Sequence, residues 1–215
     1  MTKLYLVRHG ETDWNVARRI QGITDIPLNE TGRAQARRTG ALLATREWDA
    51  VIASPLSRAY ETARIIGERI GFPTPTVDSA LVERFYGQAE GMDHRTLDAQ
   101  YPPGVPVPGR ETRAQVERRV LPALLGLGRE RPGENVVVVT HGGVIRTVIN
   151  AVEPDDPFFR GVPITNGSVH SFQYRDGGLS LIAFDDPMEL ESIEPGAEDF
   201  VVQNPSAARE SGGLE

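Results

Sequence analysis

Apolar positions along the chain fall into short runs that alternate with amphipathic stretches, the pattern of strands alternating with helices. Leu4 to Val7 is an apolar run ended by Arg8, His9 and Gly10. Its composition alone fits a buried helix turn as well as a strand, and its length and the following glycine favour a strand. A loop from Thr12 to Asn29 follows. Asn29 or Thr31 can then cap a helix whose apolar spacing runs from Ala34 to Leu43. Trp48 to Ala53 reads as a second strand. Ser54 or Ser57 is a candidate cap for the next helix, with Pro55 near its first turn, and that helix runs through Ile65, Ile66 and Ile70 to Gly71.

The middle of the chain is more broken. A short strand is expected near Thr76 and Val77, then a loop from Leu81 to Gly91 rich in acidic, aromatic and glycine residues, then a short helix from Arg95 to Gln100. Tyr101 to Gly109 is a proline-rich surface loop, because the chain on either side is too short to fold alone. Val116, Val120, Leu124 and Leu127 form one stripe of a long helix, which Pro122 is expected to kink or break. Asn135 to Thr140 repeats the opening device, a β-branched strand delivering His141, Gly142 and Gly143 into a helix that begins near Val144. Ser168 to Tyr174 alternates, Asp176-Gly177-Gly178 signals a hairpin turn, and Leu179 to Phe184 returns.

This order predicts an α/β fold: a three-layer α/β/α sandwich around a mostly parallel sheet of about six strands with an edge hairpin. The expected division is one domain over residues 1–186 and an acidic, mobile C-terminal tail over 187–215.

Composition narrows the chemistry. With no cysteine, disulfides, thiolate zinc sites and cysteine-nucleophile phosphatases are excluded. Lys3 is the only lysine, so no Walker A lysine exists. The net charge of −7 is concentrated in the segment from Asp185 onward, which carries −8 and leaves the body near +1. A nearly neutral body offers no basic stripe for nucleic acid. No apolar run reaches membrane-spanning length and Met1-Thr2-Lys3 leads directly into the first strand, so a cytoplasmic protein without membrane association is expected.

In a parallel sheet the carboxyl ends of the strands share one edge, where ligands bind. That edge would gather Arg8, His9, Arg58 and His141, with helix N-terminal amides after Gly143. Two guanidiniums, two imidazoles and free amides suit a phosphate. Taken singly, either histidine reads equally well as a structural residue at a strand end. His94, in a polar stretch, and His170, on an alternating strand, read as solvent-facing or structural, and Trp14 as a packing anchor. The scattered histidines do not suggest a metal site.

Arg8-His9-Gly10-Glu11-Thr12-Asp13-Trp14-Asn15 resembles the opening signature of the histidine phosphatase, or phosphoglycerate mutase-like, superfamily. The resemblance extends over residues 3–184 through Ser54-Pro55-Leu56-Ser57-Arg58-Ala59, Leu81 to Gly91 and Thr140-His141-Gly142-Gly143. It implies His9 as a nucleophile forming a phosphohistidine, Arg8 and Arg58 as phosphate clamps, and a protonated His141 that stabilises the transferring group. Asn15, Gln21 and Gly142 would bind the phosphate. Glu83 would be the acid, then the base, with Phe85 and Tyr86 helping to exclude water.

Arg84 and Tyr86 match positions that touch phosphoglycerate in mutases, which favours a small phosphorylated acid. His141, however, follows Glu83 by only 58 positions. Cofactor-dependent mutases carry several tens of residues more there, over the site. The resemblance therefore implies a metal-independent, cofactor-free phosphomonoester phosphatase acting on a small phosphorylated metabolite. A cofactor-dependent phosphoglycerate mutase is the second reading, and a non-catalytic phospholigand-binding module the third. Substrate identity and oligomeric state are left open by the sequence.

Overall fold

The computed structural model describes residues 1–154 and 162–185. The boundary expected at residue 186 and the acidic tail lie outside the described residues. Within them are six strands, β1 (Thr2–Arg8), β2 (Ala50–Ala53), β3 (Thr76–Val77), β4 (Asn135–Thr140), β5 (Val169–Arg175) and β6 (Gly178–Ala183). Six helices accompany them: α1 (Asp13–Val16), α2 (Glu30–Leu43), α3 (Ser57–Ile70), α4 (His94–Gln100), α5 (Arg113–Glu130) and α6 (Gly142–Val152).

The strands form one sheet in the order β3-β2-β4-β1-β5-β6. The first four are mutually parallel, and β5 and β6 add an antiparallel hairpin at one edge. Alternation along β1 and β4 explains the layers. Leu4, Leu6, Val136 and Val138 face a core shared with Val116, Val120, Leu124, Val144 and Val148 of α5 and α6. Tyr5, Val7, Val137 and Val139 face the opposite core, shared with Leu43 of α2 and Ala59, Ala63 and Ile66 of α3. Both faces of the central strands are therefore covered, as their unbroken apolar runs require.

Three local features differ from the sequence reading. A single helical turn, α1, interrupts the loop after β1, because Thr12 and Asn15 cap it reciprocally. Helix α5 continues through Pro122. Pro122 and Arg118 are both exposed, so the carbonyl that loses its intrahelical donor faces water. Helix α3 has no side-chain cap of its own. Asp25 supplies one from the preceding loop, its Oδ1 accepting from the backbone N–H and the hydroxyl of Ser57, each at 2.8 Å. Ser54 is left for another task.

Register brings the functional edge together. Arg8 stands opposite Thr140, and Ala53 opposite Val139. The ladder continues past the strand ends, with His9 N donating to Thr140 O at 3.0 Å and Ser54 N to Val139 O at 3.0 Å. The turn after His9 is held by close backbone approach to α2. A Cβ on Gly10 would lie 2.3 Å from Gly32 O, and one on Gly32 would lie 2.1 Å from Glu11 O. Backbone on both sides leaves no flexible group to yield. Gly32→Ala is expected to lose ~1–3 kcal/mol of stability, and, by pushing the turn away, part of the catalytic rate. A urea titration with an activity assay on the folded fraction checks both.

Candidate active site

His9 is buried at the end of β1, and its Nδ1 lies 2.7 Å from Gly10 O. A carbonyl can only accept, so Nδ1 carries the proton and Nε2 keeps its lone pair. The ring centroid of His141 lies 5.2 Å away. Arg58 enters from α3 with no exposed surface, donating from Nη1 to Thr24 O at 2.9 Å and from Nη2 to Gly22 O at 2.6 Å. Arg8 is anchored by Nη1 on Ile164 O, and its Nε lies 3.4 Å from where a Gly142 Cβ would stand. The Nε atoms of both arginines and Nδ1 of His141 are buried without partners.

Among the described residues neither guanidinium is ion-paired. Burial pulls the Arg8 pKa down to about 10, with Glu83 opposing the shift, which leaves it a cation at neutral pH. Burial and the nearby Arg58 hold both His9 and His141 well below the usual imidazole value. In its protein surroundings alone the His141 imidazole is therefore neutral, and the protonated state that the resemblance implies belongs to the ring with phosphate beside it. Its Nε2 partner is the Ser54 hydroxyl at 2.8 Å. Two buried cations beside two neutral imidazoles form a site suited to an anion.

Asn15 and Gln21 flank this centre through Thr12. The Thr12 hydroxyl lies 3.0 Å from Gln21 Oε1 and 3.1 Å from Asn15 Oδ1, and Asn15 Oδ1 also accepts from Thr12 N at 3.1 Å. With both carbonyl oxygens turned to Thr12, each amide presents its NH2 as a donor.

Glu83 sits at the N-terminus of α6. Its Oε2 accepts from Gly143 N at 3.1 Å and its Oε1 from Arg84 N at 2.8 Å. A Cβ on Gly143 would fall 2.5 Å from Oε1, so this glycine is what lets the carboxylate occupy the position. The Gly143 amide is thereby committed to Glu83. Phe85 is 40% exposed and shields nothing, whereas Tyr86 is buried. The guanidiniums of Arg84 and Arg110 lie 5.5 and 5.4 Å from the Tyr86 ring centroid.

Several contributors are not singled out by the sequence reading. Asn166 Nδ2 donates to His9 O at 2.9 Å, bracing the carbonyl of the residue that presents the imidazole. Arg119 pairs with Glu111 and donates to the carbonyls of Ala80, Val82 and Glu83 at 2.7, 2.8 and 3.1 Å, fixing the Glu83 segment. Glu90 accepts from Ile23 N, Thr24 N, the Thr24 hydroxyl and Tyr86 N, stapling two loops of the site wall. In the sequence these read as ordinary loop and helix-surface residues. His94 is half-buried at the start of α4. His170 is wholly buried, accepting at Nδ1 from Asp185 N and meeting Ser168 Oγ at Nε2. Trp14 packs on Gly91. Among the described residues no group of histidine and carboxylate side chains is placed to hold a metal, and no helix is long and apolar enough to cross a membrane.

Comparison with known proteins follows this geometry. The family model described as histidine phosphatase superfamily (branch 1) matches residues 4–187. The uncharacterized phosphatase PhoE of Bacillus subtilis is 37% identical over 176 residues, 82% of this chain and 90% of that protein. Glucosyl-3-phosphoglycerate phosphatase of Mycobacterium tuberculosis is 35% identical over 168 residues, 70% of this chain and 74% of its own. A solved mycobacterial glucosyl-3-phosphoglycerate phosphatase, complexed with VO3, has a TM-score of 0.77 at 30% identity and covers 85% of this chain and 98% of its own. A 2,3-bisphosphoglycerate-dependent phosphoglycerate mutase of Gloeobacter violaceus is 32% identical over 177 residues, 73% of this chain and 78% of its own.

Neutral burial of histidine has a consequence for stability. Burial and Arg146 lower the His170 pKa to about 3. Between that value and the unfolded value of about 6.5, the unfolded chain holds a proton the native chain lacks. Stability therefore falls as pH drops below about 6.5, at ~1.4 kcal/mol per pH unit for this group. Urea titrations at pH 7.5, 6.5 and 5.5 are expected to show the decline, and His170→Gln to make it shallower. A pH-independent stability would contradict the neutral burial.

Proposed function

Because the chain belongs to the histidine phosphatase superfamily, branch 1, and is a phosphoric monoester hydrolase by that membership, we propose a metal-independent phosphatase acting through a phosphohistidine on His9. The observation that carries this reading is the tautomer of His9. Its Nδ1 is held on Gly10 O, which leaves a neutral Nε2 beside two buried arginines.

In the proposed first step the Nε2 lone pair attacks phosphorus and the bond to the leaving oxygen breaks, with Glu83 giving that oxygen its proton. Arg8 and Arg58 neutralise the phosphoryl oxygens throughout, from donors already fixed in place. Asn15, Gln21 and Gly142 supply further phosphate contacts. In the second step Glu83 takes a proton from water, the water oxygen attacks phosphorus, and the phosphorus–nitrogen bond breaks. Phosphate leaves and His9 returns to its starting state.

For substrate we propose a small phosphorylated metabolite carrying an acid group. Arg84 and Arg110, both close to the Tyr86 ring, support this, since a guanidinium pairs with a carboxylate bidentately. The named activity of the mycobacterial relative, on glucosyl-3-phosphoglycerate, is of the same class. Phosphoglycerate mutase is the second reading, favoured by the mutase relative. Against it stands the short connection from Glu83 to His141, filled by the 3-10 turn Gly87–Ala89, α4, a proline-rich loop and α5. A phosphoenzyme with so little chain to cover it is open to water.

Hydrolysis of p-nitrophenyl phosphate in EDTA is the direct test. Wild type is expected to turn over and His9→Ala to lose at least roughly 10^3-fold in kcat. Rapid quenching with labelled substrate should trap a phosphoenzyme that survives base and decays in acid. Retention of full activity in His9→Ala overturns the mechanism, and phosphoryl transfer from 2,3-bisphosphoglycerate to monophosphoglycerate, without net hydrolysis, selects the mutase. Arg84→Ala is expected to raise KM for 3-phosphoglycerate or phosphoserine by about 10- to 100-fold more than for p-nitrophenyl phosphate.

A further inference from the structure

We propose that Ser54 is a positioning residue that fixes His141 as its Nδ1–H tautomer, so that this ring donates a hydrogen bond into the phosphate pocket. The inference rests on the phosphatase reading only in taking phosphate as the anion. The tautomer itself follows from hydrogen-bond accounting.

Ser54 and His141 each follow directly on a strand of the parallel sheet, and Ser54 N is bonded to Val139 O at 3.0 Å, two residues before His141. Neighbouring strand ends thus hold the serine hydroxyl 2.8 Å from His141 Nε2. Both residues are wholly buried. Leu56 N–H approaches Ser54 Oγ at 3.4 Å as a weak donor, directed by the Pro55 turn. His141 is neutral, because burial and three nearby groups, Arg58, His9 and Arg8, disfavour its cation. One of its nitrogens therefore carries a hydrogen and the other a lone pair.

If the hydrogen were on Nε2, Ser54 Oγ would accept from His141 and from Leu56. Its own hydroxyl hydrogen would then have no acceptor among the described residues, in a place without solvent. Such a buried donor is costly. The Nδ1 lone pair would also face the pocket, where it would repel an anion. If the hydrogen is on Nδ1, Ser54 accepts from Leu56 and donates to Nε2, and every atom of the pair is used except Nδ1–H. That nitrogen is the one buried without a partner, beside the equally unpartnered Nε atoms of Arg8 and Arg58. Each of the three is then an N–H donor without a protein acceptor among the described residues. The hydroxyl can also rotate, so that a His141 that takes a proton from solvent, its cation then favoured by the charge of a bound dianion, would donate from Nε2 to the same Oγ.

His9 is oriented by a different device, a backbone carbonyl on Nδ1. The two rings are consequently held in complementary states, His9 with Nε2 bare and His141 with Nδ1 protonated. A carbonyl on His141 Nε2 would force the opposite tautomer, since it can only accept. A hydroxyl permits the one required.

The experiment is a long-range 1H–15N correlation spectrum of the full chain labelled at histidine, without phosphate, with His141→Gln identifying the signals. Wild type is expected to show His141 with a protonated, pyrrole-like Nδ1 and a bare, pyridine-like Nε2. Ser54→Ala, which differs only by the hydroxyl, is expected to move that ring to the Nε2–H form or to a mixture. Its kcat/KM for p-nitrophenyl phosphate should fall about 10- to 100-fold, with inhibition by inorganic phosphate weakened in parallel. An Nε2–H ring in wild type overturns the proposal, as does an Nδ1–H ring unchanged in Ser54→Ala. The wild-type spectrum decides the tautomer whether or not the variant folds. It also needs no turnover, so a failure of the phosphatase reading would be seen separately in the hydrolysis assay.

Discussion

Two buried arginines that have no carboxylate partner among the described residues dominate this structure. Arg58 is held by the carbonyls of Gly22 and Thr24, and Arg8 by that of Ile164. Carbonyl dipoles keep each guanidinium in place without cancelling its charge, so a positive field persists in a region of low dielectric. Burial first, and this field after it, keep the two nearby imidazoles neutral. A neutral imidazole is a nucleophile, and an uncancelled pair of cations attracts a dianion. One electrostatic condition therefore prepares both halves of the proposed chemistry.

Holding such a centre requires rigid surroundings. The cores on both faces of the sheet fix the strand ends, and the backbones of Gly10 and Gly32 meet too closely for any side chain. Thr62 ties the turn to α3, accepting from Gly10 N and donating to Arg58 O. Asp25 caps α3 from the same loop whose carbonyls hold Arg58. The wall opposite depends on Glu90, and the acid Glu83 depends on Arg119 and on the absence of a Gly143 side chain. Function here is distributed over the supports as much as over the groups proposed to react.

The sheet and its helices were legible because burial on both faces leaves a strong mark: Leu4 to Val7 and Val136 to Val139 are unbroken apolar runs, each ended by histidine and glycine. The arrangement of Arg8, His9, Arg58 and His141 followed from the rule that parallel strands share one functional edge. Local readings failed where a long-range partner decided the outcome. The cap of α3 came from Asp25, and solvent accommodated Pro122 within α5.

By itself, then, the sequence determined the alternation of elements and the residues delivered to the sheet edge, which depend on periodicity and on glycine and proline punctuation, and its motifs carried the resemblance to the family. The tertiary structure decided the protonation of those residues and which of their atoms are free. His141 became neutral because burial placed it beside Arg58, and Ser54 became its partner because β2 and β4 are adjacent in register. Asn166, Glu90 and Arg119 gained their roles in the same way, from contacts between segments far apart in the chain. Charge state and hydrogen-bond partnership depend on distances between such segments, and no local pattern encodes those distances.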